Sequence, residues 1–106
     1  MKPPTPSPEP DRTRPLPVLR AMIDALDHDL LRLLARRDGI VAEIAEYKRR
    51  HTVPIRDAGR ERDIIADRRD RAAPLGIAPE FAESLFRLVL WASRDRQAAL
   101  RAEVPP

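Results

Sequence analysis

Residues 18–51, VLRAMIDALDHDLLRLLARRDGIVAEIAEYKRRH, lie within the longest proline-free run of the chain and decide its fold. Leu19, Ile23, Leu26, Leu30, Leu33, Leu34, Ile40, Val41 and Ile44 recur at spacings of three and four. That is the period of an α-helix with one apolar face. At about 1.5 Å per residue such a helix spans roughly 50 Å. A compact domain of about 100 residues has a radius of gyration of only about 13 Å. One further helix and a shorter one cannot cover a stripe of that length. The stripe is therefore expected to continue onto a second copy of the chain, as an intertwined homodimer.

On the carboxyl side, Pro54 ends this run. A second helical pattern begins at Asp57, a residue suited to an N-cap, carries Ile64 and Ile65, and fades before Pro74 and Gly76. A third starts at Pro79, a good first-turn residue, and carries Phe81, Leu85, Phe86, Leu88, Val89, Ala92 and Leu100. No stretch alternates apolar and polar as a strand does, so the class is all-α with a three-helix protomer. On the amino side, residues 1–17 hold seven prolines of the chain's 12 and read as a disordered or polyproline-like arm. The folded domain is expected over residues 18–102, with 103–106 a frayed end.

Composition narrows the function. The 106 residues include no Cys and 2 His, which removes thiol nucleophiles and Cys-based zinc sites and makes a histidine-rich metal site a poor fit. No apolar run reaches the roughly 18 residues of a membrane span, and the amino terminus lacks the apolar core of a signal peptide, so a cytoplasmic protein is expected. Lys and Arg number 20 against 17 Asp and Glu, a formal net charge of +3. Glu43, Glu46, Asp63, Asp67 and Asp70 interrupt every basic run, whereas a nucleic-acid binder collects its bases on one face.

Some charges sit where charges are costly. At about 100° per residue, Arg37 and Lys48 fall near the middle of the apolar stripe, within about 20° of each other. No acid accompanies them in the stripe. Either they reach the surface or an acid on another helix, or they line a cavity that receives an anion. Arg20 lies to one side of the stripe, where it could serve a neighbouring chain or simply be solvated. Asp57 and Glu61 share a face of the second helix with Ile64, either as a cap and a surface ion-pair partner or as ligand acceptors. Ser93 and Gln97 are paired in the same i, i+4 way on the third helix, either as satisfied core residues or as hydrogen-bonding groups aimed into a pocket.

The strings LRAMIDALDHDLLRLLARRDGIVAEIAEYK (19–48), VPIRDAGRERDII (53–65) and LFRLVLWASRDRQ (85–97) together resemble the AroQ-type, all-helical chorismate mutases. The resemblance covers about residues 19–100. It implies an intertwined dimer with two active sites, each completed by an arginine from the opposite protomer. By this resemblance Arg20 is that arginine, and Arg37 is the arginine within the protomer that also grips a substrate carboxylate. Lys48 and Gln97 match the two groups on the ether oxygen of the breaking bond. Asp57 matches the acid near the 4-hydroxyl, Glu61 the carboxylate that binds it, Arg60 the motif arginine beside it, and Ser93 the serine near a carboxylate. No cofactor or metal is implied.

The reaction so implied is an intramolecular Claisen rearrangement of chorismate to prephenate. It requires neither nucleophile nor cofactor, which suits a chain without Cys. It requires a flexible dianion to be held compact and charge on the ether oxygen to be stabilised. Arginine forks suit the first task, and donors in a dry site suit the second. A same-fold mutase acting on 4-amino-4-deoxychorismate and an isochorismate-pyruvate lyase are the neighbouring readings. A helical nucleic-acid-binding or adapter module is the alternative from another class.

Overall fold

A computed structural model describes residues 3–4 and 12–104. The expected proline-rich arm falls for the most part outside them. Three α-helices follow in order, α1 (Leu16–Arg50), α2 (Ala58–Ala72) and α3 (Pro79–Glu103), with a short 3-10 turn at Ala73–Leu75 after α2. Among the described residues there is no strand. The all-helical class expected from the sequence is therefore correct.

Helix α1 begins at Leu16, two residues before the expected start. The Pro15 carbonyl accepts from the N–H groups of Val18 at 3.0 Å and Leu19 at 3.1 Å. Pro17 sits in the first turn, where a missing N–H leaves no bond unmade. At its other end α1 stops at Arg50 in a Schellman arrangement. Thr52 N–H reaches the Arg49 carbonyl at 3.4 Å and Val53 N–H the Lys48 carbonyl at 2.8 Å. The left-handed position is held by Thr52, with φ 55°. This is a strained choice for a β-branched residue, and it turns the chain sharply into the loop before α2.

Asp57 caps α2 as its sequence position suggests, with Oδ1 accepting from Arg60 N–H at 2.9 Å. Gly76, φ 74°, closes the following turn, and Ile77 N–H reaches back to the Ala72 carbonyl at 3.1 Å. Pro79 opens α3, which runs through Glu103, one residue past the expected limit.

The chain divides into two units within α1, after Leu33. The first contains the amino half of α1, where Leu19, Met22, Ile23, Leu26, Leu30, Leu31 and Leu33 are all exposed. The second has a small core. Ile64 and Ile65 of α2 meet Leu90 of α3, with Phe86 packed against them. Val41, Ala45, Ala72 and Ala82 are also buried. Arg96 of α3 pairs with Asp38 of α1 at 3.3 Å within this unit. Among the described residues no helix is long and apolar enough to cross a membrane.

Candidate active site

The carboxyl half of α1, the 53–55 loop, α2 and α3 line a half-open cavity of about 340 Å³. Arg37, Lys48, Asp57, Arg60, Glu61, Ser93 and Gln97 all line it. Seven of the eight residues singled out from the sequence thus converge. Arg20 is exposed in the amino half of α1 and is not among the lining residues.

The two stripe cations have found neutral partners rather than acids. Arg37 donates to the Ser93 hydroxyl, which in turn donates to the Val89 carbonyl at 2.8 Å. Lys48 Nζ donates to the Ile55 carbonyl at 2.6 Å. A hydroxyl and a carbonyl orient a cation without cancelling its charge. Burial, and after it the neighbouring positive charge of Arg68, hold the Arg37 guanidinium below its ordinary pKa. It remains a cation with an unmet demand for an anion.

The carboxylates of the cavity are already engaged. Asp57 has one oxygen on the amino end of α2. Glu61 receives Arg94 from α3 and lies 3.4 Å from Arg56. Gln97 is the reverse case. It is 6% exposed, and its Oε1 is buried with no hydrogen-bond partner among the described residues. An orphaned buried acceptor costs a folded protein about 1–3 kcal/mol. Because the amide is tied to no neighbour, it can turn over and present either its oxygen or its NH₂ to whatever fills the cavity.

Sequence reasoning missed two residues here, Arg68 and Arg94. Both follow the helical spacing of residues that were found. Arg68 continues the Glu61, Ile64 face, and Arg94 stands between Leu90 and Gln97 at i+4 and i−3. Arg68 also places its guanidinium 5.4 Å from the centre of the Phe86 ring, an attractive cation–π distance. With them the lining holds five cationic and two anionic side chains. A larger concavity of about 540 Å³ lies across Glu61, Leu90 and Arg94, which line both. Its Arg69 and Arg87 are both paired with Glu83, and it lacks the Ser/Gln pair. The smaller cavity is the one that combines Arg37 and Lys48, neither with an acidic partner, with the Ser/Gln pair.

The sequence profile of the family described as Chorismate mutase type II matches residues 19–98. The chain belongs to that family. It is a family of chorismate mutases, and each cavity residue named above lies inside the matched span. The chain is 43% identical over 75 residues to a T-protein of Enterobacter agglomerans, covering 71% of this chain and 20% of that one. It is 38% identical over 78 residues to a 4-amino-4-deoxychorismate mutase of Streptomyces pristinaespiralis, covering 74% and 60% of the two chains. To a bifunctional chorismate mutase/prephenate dehydratase of Escherichia coli it is 38% identical over 90 residues, covering 81% and 22%. The chain thus spans about a fifth of the T-protein it matches.

Proposed function

We propose that this type II chorismate mutase family chain converts chorismate to prephenate as a homodimer. The observation that carries the reading is the pair Arg37 and Lys48, two cations in one cavity held by a hydroxyl and a carbonyl and left electrically unsatisfied. A dianionic substrate supplies what they lack.

In this reading Arg37 grips one substrate carboxylate, steadied by the Ser93 hydroxyl. Arg20 of the opposite protomer grips the other. The C–O bond of the enolpyruvyl ether breaks as a C–C bond forms in the same molecule, and no proton or electron leaves it. Negative charge grows on the ether oxygen as the bond stretches. Lys48, fixed by the Ile55 carbonyl, and the amide NH₂ of Gln97, turned toward the ligand, meet that charge, a service worth about 3 kcal/mol for a preset donor. Asp57, Arg60 and Glu61 orient the ring hydroxyl. The apolar side chains exposed along the amino half of α1 support the dimer, because a lone chain would leave them in water.

The Streptomyces relative makes 4-amino-4-deoxychorismate the second substrate to test. The decisive assay follows the absorbance of chorismate with purified protein and identifies the product. Enzymatic decay with stoichiometric prephenate is expected. Chorismate that outlasts the protein unchanged contradicts the reading.

A further inference from the structure

The cavity contains two carboxylates, Asp57 and Glu61, and five cationic side chains. Glu61 is not free to receive a positively charged ligand group, and Asp57 has one of its two oxygens committed. Asp57 caps α2 through Oδ1. Glu61 is closed on by Arg94 across the α2–α3 contact, and Arg56 stands at 3.4 Å on its other oxygen. The Glu61–Arg94 pair is half sheltered, its side chains 16% and 31% exposed. Water therefore screens it less than it screens the surface pairs of α1.

We propose that Arg94 is a specificity-determining residue: by committing Glu61 it selects a substrate with a neutral ring hydroxyl over one with an ammonium group at that position. This rests on the reading of the cavity as a chorismate-type mutase site. A carboxylate offers about four lone-pair positions, so Glu61 can hold Arg94 and still accept from a ligand hydroxyl. A hydroxyl adds a hydrogen bond and no charge. An ammonium adds a further positive charge beside two guanidiniums, in a space already lined by an excess of cations. Glu61 pairs with it only if Arg94 gives up that carboxylate, and Arg94 is then left half-buried without a partner. Specificity is a difference between two binding energies, and here the repulsive element is built into the wall.

The wall also dictates the variant. Arg94 lines both the 340 Å³ cavity and the 540 Å³ concavity behind it, so truncation to alanine would merge them. Arg94→Met keeps the length of the stem and removes the charge, and Arg94→Lys keeps a charge. The experiment compares kcat/KM for chorismate and 4-amino-4-deoxychorismate in wild type and both variants. Wild type is expected to favour chorismate by at least about tenfold, which corresponds to about 1.4 kcal/mol. Arg94→Met is expected to shrink that ratio by about tenfold, mainly through a lower KM for the amino substrate, while Arg94→Lys retains the preference. If Arg94→Met turns over neither compound, the thermal shift given by each is read instead. Equal shifts support the proposal, and a retained preference for chorismate overturns it. A wild type that uses both substrates equally also overturns it, as does an active Arg94→Met with an unchanged ratio. Wild type inactive on both compounds overturns the mutase reading itself, a distinct result.

Discussion

The two halves of α1 carry the same apolar stripe, but only the carboxyl half has part of it buried by its own chain. Leu26 and Leu30 of the amino half are 60% and 51% exposed, whereas in the carboxyl half Val41 and Ala45 are buried, although Ile40 and Ile44 stay exposed. The carboxyl half has α3 beside it within the second unit, through Arg37–Ser93 and Asp38–Arg96. The difference teaches that a periodic stripe specifies a buried face without specifying which molecule buries it. A helix rarely maintains an apolar face for five turns without a use for it, and an exposed patch of that extent marks an interface. In the proposed function the amino half is the surface for a second copy, and the carboxyl half is one wall of the cavity.

The largest expected effect comes from breaking the amino half. Leu26→Asp with Leu30→Asp puts two carboxylates into the stripe. On a solvated helix they would cost little. In a dimer seam they are uncompensated buried charges, each costing several kcal/mol. The double variant is expected to lose the dimer by light scattering and all mutase activity with it. A double variant that remains dimeric and active removes the reading of this half.

In the carboxyl half, Arg37→Ala is expected to lower kcat/KM by at least about 100-fold. Circular dichroism and the melting temperature should hardly move, because a half-buried cation with a neutral partner is no stability asset. Near-normal turnover in this variant would mean that Arg37 does not touch substrate. Gln97→Leu separates function from stability on α3, facing the same cavity. It removes an orphaned acceptor, so the unfolding free energy from urea titration should hold or rise by up to about 1–3 kcal/mol, while activity falls by about 100-fold. A clear loss of stability would instead assign Gln97 to packing.

The smallest effect lies on the solvated side of the same half. Arg49 and Arg50 hold the Glu46 carboxyl down from its usual 4.5 to about 2, mainly by hydrogen bonding. A carboxyl whose pKa is depressed by folding stabilises the folded state above its unfolded pKa and loses that contribution as pH falls through the folded value. Glu46→Gln should therefore unfold slightly more easily at pH 7, and the gap should close between about pH 4.5 and pH 2. Melting curves across that range check it. A gap that persists at the acid end would show that the ion pair is not its source.

Much of this was legible in the residues, and the failures share a cause. Asp57 and Pro79 announced their helix starts because each signal is local, a side-chain cap and a fixed φ. Helix α1 starts two residues before the expected Val18, because a first turn tolerates Pro17. Arg37 and Lys48 stood out because a cation in an apolar stripe is anomalous within one helix. Arg68 and Arg94 did not, because each neighbours other charges in an arginine-rich sequence. Only the packing of α2 against α3 brings Glu61 and Arg94 together. The neutral partners of Arg37 and Lys48 were equally invisible. A serine 56 positions away and a backbone carbonyl leave no charge pattern to read.

The central claim is that each half of α1 serves a different protomer's site, and subunit mixing tests it most directly. Arg20→Ala and Arg37→Ala are each prepared, shown to be inactive alone, then mixed and exchanged. In a crossed dimer, the mixed species has one site lacking both arginines and one site with both intact. Random pairing then returns about a quarter of wild-type specific activity. That recovery is the expected result. Verified exchange with no recovery would place Arg20 in its own protomer's site or in none, and would contradict the account.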